Sequence, residues 1–298
     1  MKREDQENHG NNRQSKTNTR HDICMASDLC EYHAKRLAGH LGWDYVGKAS
    51  NDVLEKYERI LFLGVTDWVV EKCIQVKEPK KILQWAGTDV MTSVHKRLPK
   101  GKIFYIAQCE RLKEDLKKMR FPFKVWAVIS TVAENYKIEP LPQNFSILSY
   151  LPDLRNEFFQ TNLVLAVAER MPDVKFKIFG RRKTLIDTKL PNVKNYGWIN
   201  GEKKYEIYLN SSCLLRMPKH DAMSQVMVEM FQMGRRVIHN YPYLYAHQCH
   251  SVIDIINIIK QDIMGYKEPD YRASEYYCRE YSFENIKKKY EQLLKEIG

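Results

Sequence analysis

The sequence predicts an α/β protein made of two parallel-sheet halves facing a central cleft, and three observations lead to this prediction. Short apolar runs, such as 59–65 and 174–179, alternate with polar or amphipathic segments, which is typical of strands and helices in parallel α/β layers. The runs are nearly continuous in apolar residues, as expected for strands covered on both faces. A stretch with two prolines, 137–144, separates two such series within a length of 298 residues, enough for two small domains.

The first half is predicted over residues 21–139. Residues 1–20, before it, are rich in Asn, Gln, Lys, Arg and Glu and have no apolar periodicity, which predicts a disordered basic and polar arm. The predicted helices of this half are Cys30–Leu41, which carries an apolar stripe, and Cys109–Met119. The predicted strands are Arg59–Val65, Lys81–Trp85 and Lys102–Ile106.

The second half is predicted over 145–275, after a linker at 140–144 that contains Pro140 and Pro142. A closing segment, 276–298, is predicted to contain a helix that returns toward the first half. The predicted strands are Phe145–Tyr150, Val174–Phe179, Val193–Tyr196, Cys213–Met217 and Arg236–His239. The predicted helices are Asn162–Met171, Tyr205–Leu209, Ser224–Met233 and Phe283–Ile297.

The composition narrows the classes of function. The 48 Lys and Arg against 37 Asp and Glu give a net charge of +11, which suits nucleic acid, an anionic membrane surface or phosphorylated ligands. A mean hydropathy of −0.53, with no apolar run near the length of a membrane-spanning helix, argues against a membrane-embedded protein. The seven cysteines are odd in number and irregularly spaced, without a Cys-x-x-Cys pair, and therefore predict a reducing, cytoplasmic environment.

The segment Arg216–Glu229 carries the residues best suited to chemistry. Asp221 falls in the loop after a predicted strand, and Glu229 lies one to two turns into the following helix. Backbone amides at the start of that helix form an anion site suited to a phosphate. Because Glu229 is near them and can accept hydrogen bonds from ribose hydroxyls, the two acids are predicted to hold a nucleotide-sugar from both ends.

The same segment, with its upstream loops, resembles a known family. The run YLPDLRNEFFQ…FGRR…PNVKNYGWIN…LLRMPKHDAMSQVMVEMFQMGRRVI is similar to the C-terminal half of retaining glycosyltransferases with the B-type, two-Rossmann fold. The likeness is greatest to the family-four group, which carries a Glu-x7-Glu motif, and it covers Ser149–His239 well. Gln84–Val90 resembles a His-Trp-x-Gly-Thr-Asp segment, and Glu280–Leu293 resembles the terminal helix.

The resemblance implies a role for each motif residue. Asp221 would contact the donor sugar beside the reacting carbon, Glu229 would hold the ribose, and Ser224 with neighbouring amides would hold the pyrophosphate. The other residues implied to bind the donor are Arg155, Gly180, Arg181, Trp198 and His220. The leaving nucleoside diphosphate would be stabilised by cationic side chains and the helix dipole, so no metal and no other cofactor is expected. Arg182 and Lys183 would add charge near the phosphates.

Several of these residues also have a structural interpretation. Asp89, predicted to be catalytic by positioning the acceptor, is equally suited to capping the helix that follows it. His220 can contact the donor or be a solvated loop residue. The acceptor side is predicted to include Asp67, Trp68 and Thr88.

The function predicted from these features is sugar transfer from a nucleoside-diphosphate-sugar to a hydroxyl of a sugar, lipid-linked or protein acceptor, with retention. Asp221 replaces the usual Glu and Gln84 replaces a His, and no Gly-rich loop follows the first strand. These departures support an alternative, a non-catalytic nucleotide-sugar-binding or scaffold protein of the same fold. Nucleic-acid binding is the least favoured, because no zinc-finger, basic-zipper or RNP-type signature is present.

Peripheral contact with an anionic membrane is a further prediction. The segment Lys113–Arg120 is rich in lysine, and Phe121 and Phe123 follow it. Such a basic and aromatic face suits anionic lipid headgroups, although a solvated surface helix explains the same pattern. The predicted location is therefore the cytoplasm, with peripheral membrane contact as an addition.

Overall fold

A computed structural model describes residues 21–28, 31–98, 103–152, 155–181 and 189–298, and its strands form two six-stranded parallel sheets. The strands of the first sheet are β1 His21–Ala26, β2 Asp44–Gly47, β3 Tyr57–Leu63, β4 Lys80–Trp85, β5 Ile103–Ala107 and β6 Val125–Ala127. Those of the second are β7 Ser146–Tyr150, β8 Lys175–Phe179, β9 Val193–Asn195, β10 Cys213–Arg216, β11 Arg236–His239 and β12 His247–Gln248. The spatial orders are β2-β1-β3-β4-β5-β6 and β12-β11-β10-β7-β8-β9. The predicted fold class is confirmed.

Helices cover the faces of both sheets. The helices beside the first sheet are α1 Glu31–Leu41, α2 Asn51–Leu54, α3 Asp67–Gln75 and α4 Glu110–Lys118, with 3-10 turns at Thr88–Met91 and Ser93–Arg97. Those that follow β7 are α5 Thr161–Glu169, α6 Gly201–Leu209, α7 Gln225–Gln232, α8 Val252–Ile258, α9 Tyr271–Glu280 and α10 Phe283–Ile297, with a π-helical turn at Ile259–Ile263. No helix within the described ranges is both long and apolar enough to cross a membrane.

The apolar runs form buried strands because both sheet faces are covered. In β3, Ile60, Leu61 and Phe62 have no exposed surface, although neighbouring residues point to opposite faces. Each such side chain contributes about 1.5–3 kcal/mol through its burial. This explains why nearly continuous apolar runs, rather than alternating ones, predicted these strands.

The predicted elements differ from the observed ones mainly at their ends. α7 begins at Gln225 because Ser224 is its N-cap, and its Oγ accepts a hydrogen bond from the Met227 amide. α6 begins at Gly201 rather than Tyr205, with Glu202 favourably placed in its first turn. Eight observed elements have no counterpart among the predicted ones: β1, β2, β6, β12, α2, α3, α8 and α9. Three of these strands have only two to four residues, too few for a periodic signal.

The closing helix α10 packs on the first sheet although it follows the second one. Ile286, Tyr290 and Leu293 join the same buried cluster as Leu37 and Leu61. The Tyr290 hydroxyl donates to the Gln84 side-chain carbonyl at 2.5 Å. The chain therefore returns to the first half, as the sequence predicts, while the predicted domain limits remain a prediction. Residues 1–20 and the predicted cations Arg182 and Lys183 lie outside the described residues.

The segment between the sheets is anchored by one buried arginine. Arg235 has no exposed surface, and its guanidinium donates to the carbonyl oxygens of Glu139 at 2.7 Å and Pro140 at 3.0 Å. It also donates to the Leu209 carbonyl at 3.1 Å, at the end of α6. Arg235 therefore fixes the start of the predicted linker against the second half.

Candidate functional site

The carboxyl ends of the two sheets meet at the cleft loop, residues 217–224, between β10 and α7. Arg111 Nε donates to the Asp221 carbonyl at 3.0 Å, and Thr131 Oγ1 donates to the Met223 carbonyl at 2.8 Å. The His220 ring nitrogen Nε2 lies 3.0 Å from Asp115 Oδ2 on α4. Ligands of parallel α/β sheets bind beyond the carboxyl ends of strands. The predicted motif therefore lies where the two halves face each other.

Glu229 is buried at the second end of this motif and accepts four hydrogen bonds. One carboxylate oxygen accepts from Lys204 Nζ at 3.0 Å, Gln225 Nε2 at 2.6 Å and the Glu134 amide at 3.1 Å. The other oxygen accepts from the Tyr208 hydroxyl at 3.1 Å. A buried carboxylate requires such partners, and Lys204 supplies the compensating charge.

The first half adds further charge beside Glu229. The Arg36 guanidinium lies 3.0 Å from the Glu134 carboxylate. Burial, together with the nearby charges of Arg36 and Lys204, lowers the pKa of His33 to about 4. Near neutral pH this place therefore holds a neutral imidazole and two cations that are each paired with a carboxylate, Lys204 with Glu229 and Arg36 with Glu134. A ligand that carries negative charge would have to replace one of these carboxylates as the partner of a cation.

Asp221, at the first end of the motif, is held differently. Its two carboxylate oxygens accept from Arg216 Nε at 2.5 Å and Arg216 Nη2 at 2.9 Å. His239 Nε2 lies 3.2 Å from the oxygen that faces Arg216 Nε. Burial acts to raise the pKa of Asp221, but the charges and hydrogen bonds of Arg216 and His239 outweigh it and lower that pKa. The Asp221 carboxylate is thus neutralised by Arg216, a residue of the same half of the protein.

Two nitrogens of the cleft loop region are buried without a partner. Arg216 Nη1 and His220 Nδ1 have no hydrogen-bond acceptor or donor among the residues that the structure describes. Buried polar atoms are normally satisfied, so unsatisfied ones are typical of positions that a ligand completes. Arg216 was not among the predicted site residues, although a charged residue at the end of a buried strand is a signal for one.

The other predicted donor residues lie in different surroundings. Gly180 has φ +97°, and a Cβ there would lie 2.4 Å from the Tyr150 ring, so only glycine fits. Arg181 is buried and donates to Asn156 Oδ1 at 2.5 Å and Thr161 Oγ1 at 3.1 Å, which favours an internal anchor over a nucleotide contact. Arg155 stacks on the Phe158 ring, 4.8 Å from its centroid.

Trp198 lies apart from the motif. It lines a cavity of about 980 Å³ together with residues of β8, β9 and α6, whereas Glu229 does not line this cavity. Lys204 and Tyr208, the α6 residues that contact Glu229, are also absent from its lining. The structure therefore does not bring Trp198 together with the two motif acids.

The acceptor-side predictions fall on the edge of the first sheet. Asp89 accepts hydrogen bonds from the backbone amides of Val65 at 2.9 Å and Gly87 at 2.8 Å, and also from that of Ala86. Burial raises the pKa of this carboxyl group, and its oxygens are occupied by amides that precede it in the chain rather than by those of the following turn. The geometry therefore favours an anchor between the loops after β3 and β4, and both catalysis and helix capping by Asp89 stay predictions. Asp67 pairs with Arg97 at the start of α3.

The remaining acceptor-side residues are partly buried. Trp68 packs edge-on against Phe62, with 6.3 Å between ring centroids, and Thr88 begins a 3-10 turn. Phe121 and Phe123, predicted to follow a membrane-facing helix, pack against Tyr105 at 5.1 Å between centroids. This packing favours the interpretation of α4 as a solvated helix.

A second cavity, of about 510 Å³, lies between the two halves next to the cleft loop. Its walls come from α4 on one side and from α9 and the loop after β11 on the other. Tyrosines are frequent in this wall: Tyr241, Tyr243, Tyr276, Tyr277 and Tyr281. The Arg111 guanidinium lies 3.4 Å from the centroid of the Tyr241 ring, a cation–π contact across the boundary.

Two parallel sheets that meet at their carboxyl ends, with the chain returning to the first half, define the glycosyltransferase-B fold. Sucrose-phosphate synthase from Thermosynechococcus elongatus shares it with a TM-score of 0.73 and 13% identity over 93% of this chain and 99% of that one. TarM aligns with a TM-score of 0.61 and 16% identity over 80% of this chain and 55% of its own.

A third similar structure is the pneumococcal O-GlcNAc transferase GtfA, solved with UDP and GlcNAc. Its TM-score is 0.60, with 12% identity over 84% of this chain and 59% of GtfA. The chain thus spans little more than half the length of TarM and GtfA. No family model and no curated protein matches the sequence. At these identities the likeness establishes the fold alone.

Proposed function

We propose that this protein is a glycosyltransferase that uses a nucleoside-diphosphate-sugar. The observation that carries the proposal is Glu229, buried beyond the carboxyl end of β10 and facing the first half beside Lys204 and Arg36. UDP is present in the structures of GtfA and of TarM from S. aureus that share the fold. Two cations that would turn from their carboxylate partners to phosphates, beside a carboxylate that accepts hydrogen bonds, suit a ligand with both phosphates and ribose hydroxyls.

On binding, the donor's ribose hydroxyls would take the place of two groups that now donate hydrogen bonds to Glu229. Ribose hydroxyls can donate to the carboxylate in place of Gln225 Nε2 and Lys204 Nζ, which lie at 2.6 and 3.0 Å. Lys204, once released, would face the pyrophosphate together with Arg36. The first amides of α7, next to the Ser224 cap, would add the positive end of a helix.

These groups would act on the leaving phosphate. As the bond between the sugar and the diphosphate breaks, negative charge grows on the bridging oxygen, and fixed cations lower the energy of that state. With retention, which we include in the proposal, that phosphate would accept the proton of the incoming hydroxyl on the same face of the sugar. The tyrosine-rich cavity between the halves offers space for the acceptor, a sugar, lipid-linked or protein hydroxyl.

One observation favours a second candidate function. Arg216 neutralises Asp221 and His239 contacts the same carboxylate, so Asp221 offers no free carboxylate at the first motif position. A protein that binds the nucleotide-sugar without transferring the sugar needs Glu229 but has no use for a free Asp221. This supports the non-catalytic alternative.

Binding and turnover, measured separately, test both candidates. UDP-, GDP- and ADP-linked sugars would be screened by calorimetry, and release of nucleoside diphosphate would be followed with the best ligand. We expect Glu229→Gln to weaken donor binding at least about tenfold, the loss of roughly one charge-assisted hydrogen bond. The control is Glu169→Gln, an exposed acid at the end of α5.

The outcomes separate the two functions. Turnover that is lost in Glu229→Gln and kept in Glu169→Gln supports the enzyme. Donor binding that depends on Glu229, without turnover toward water or an acceptor, supports the binding protein. If no nucleotide-sugar binds the wild-type chain, both candidates are rejected.

A further inference from the structure

A basic cavity lies beside β8, β9 and α6 of the second half, and no residue of the cleft loop lines it. It has a volume of about 980 Å³ and is bounded by β8, β9 and α6. We use the name basic cavity for this space, whose lining includes Lys175, Lys177, Lys194, Lys203, Tyr196 and Trp198, with Glu206 as its one acid. It lies beside the first residues of β7 and β8, whereas the cleft loop follows the end of β10. It therefore belongs to a different part of the fold from Glu229.

The lysines converge because of the strand geometry. Lys175 and Lys177 are two residues apart in β8, so their side chains project from the same face. Lys194 in β9 is the direct parallel neighbour of Lys177. Lys203 comes from the first turn of α6, which covers this face. The topology thus brings four cations from three elements to one space.

One acid, Glu206, lines the same cavity, so four lysines face a single carboxylate. Within the described ranges, none of the four lysines forms a salt bridge with a carboxylate. Lys177 donates to the Asn210 carbonyl, and Lys194 lies 4.9 Å from the centroid of the Tyr196 ring. Burial lowers the pKa of Lys177 to about 8, and Lys175 and Lys194 contribute in the same direction. Like charges held close together indicate that a counter-charge from outside the chain is missing.

Helix α6 separates the basic cavity from the candidate donor site. Lys204 and Tyr208, four residues apart, lie on the side of α6 that contacts Glu229. Lys203 and Glu206 line the basic cavity from the other side. A ligand in the basic cavity and a nucleotide at Glu229 would therefore occupy opposite faces of one helix.

We propose that the basic cavity binds an anionic oligosaccharide, a short chain of sugars that carry carboxylate, sulfate or phosphate groups. The lysines would pair with the anionic groups, and a sugar ring would pack its C–H face on Trp198, which is 55% exposed. Side-chain amides at the rim, Gln143 and Asn144, suit sugar hydroxyls. A half-open cavity of this size suits a few sugar rings better than a nucleic-acid strand, which requires an extended basic groove.

The test uses the full chain and defined probes. Binding of a heparin hexasaccharide would be measured by calorimetry at about 50 mM salt, where screening is moderate, with neutral maltohexaose and a single-stranded oligonucleotide in parallel. The variant is Lys175→Gln/Lys194→Gln, which changes two exposed side chains. The control, Lys287→Gln/Lys288→Gln, removes the same charge from the exposed surface of α10.

We expect the cavity variant to weaken hexasaccharide binding about tenfold or more, since two ion pairs are lost, and the control to bind as the wild type does. Trp198→Ala should also weaken binding, while maltohexaose should not bind. Equal losses of hexasaccharide affinity in the cavity variant and the control would overturn the proposal. Binding would then depend on the overall positive charge of the protein and not on the basic cavity. No hexasaccharide binding, or tighter binding of the oligonucleotide through the same lysines, would overturn it as well. Failure of donor binding at Glu229 would leave this result unaffected.

Discussion

The two acids of the cleft motif, Asp221 and Glu229, have seven residues between them in the sequence and are stabilised in different ways. Asp221 is locked by two hydrogen bonds from Arg216, a residue of the strand that precedes its own loop. Glu229 is held by groups from α6, α7 and the first half, of which only Lys204 is a cation. The difference shows that Asp221 is tied by an ion pair within its own half. In the proposed function, Glu229 instead keeps hydrogen-bond partners that a ligand would replace.

The largest expected effect on stability follows from removing the Arg216–Asp221 ion pair. Arg216→Met leaves a buried carboxylate without its cation and should lower the free energy of unfolding by about 3–5 kcal/mol. Urea denaturation measures this. The double variant Arg216→Met/Asp221→Asn removes both charges and should recover much of the loss. If Arg216→Met lowered the free energy of unfolding by less than about 1 kcal/mol, Arg216 would not be holding Asp221 as a buried ion pair.

A smaller effect is expected at the Glu229 end. Lys204→Met removes the cation but leaves the bonds from Tyr208, Gln225 and the Glu134 amide, so we expect a loss of about 1–3 kcal/mol. Its matched control is Lys203→Met, one residue earlier on the exposed side of α6, which should change stability by less than about 0.5 kcal/mol. If Lys204→Met were as damaging as Arg216→Met, the two acids would not differ in the way described.

The pH dependence of stability also differs between the surroundings of Glu229 and those of Asp221. The pKa of His33, near Glu229, is lowered to about 4, whereas an unfolded histidine titrates near about 6.5. Between these values the unfolded chain binds a proton that the folded chain does not, so stability should fall with falling pH by at most about 1.4 kcal/mol per unit. At Asp221 the lowered pKa is that of a carboxyl group, so its loss begins only below about pH 4.

Thermal or urea unfolding between pH 7 and 4 checks this. His33→Gln should make the pH dependence shallower, while the buried His239, whose pKa is also lowered by burial, contributes the part that remains. An unchanged slope in His33→Gln would show that His33 is already protonated in the folded chain.

The smallest expected effect on stability concerns Ser224, which lies between the two acids in the sequence. Ser224→Ala removes the cap of α7 and should cost about 1 kcal/mol, whereas Ser224→Gly should cost only about a few tenths. Paired melting curves of the two variants measure the difference. Equal melting temperatures would mean that the contact between Ser224 Oγ and the Met227 amide, at 3.3 Å, does not stabilise the helix start.

Much of the fold could be predicted because its signals are local. The buried strands of a parallel sheet appear as apolar runs, as in β3 and β4, and the amphipathic helix α10 begins and ends at the predicted residues. Short elements such as β2 and β12 could not be predicted, since they exist only through pairing with a longer neighbour. Gly180 illustrates the same limit, because its need for glycine comes from the ring of Tyr150 on another strand.

The sequence by itself determined the fold class and the position of the motif, because periodicity and the spacing of Asp221 and Glu229 depend on neighbours along the chain. Only the tertiary structure decided the state of each acid. Arg216 and His239 reach Asp221 from adjacent strands, and Lys204 reaches Glu229 from α6. The charge of a buried carboxylate depends on the groups that surround it in space, and of these three partners only Arg216 is close in the sequence, five residues before Asp221.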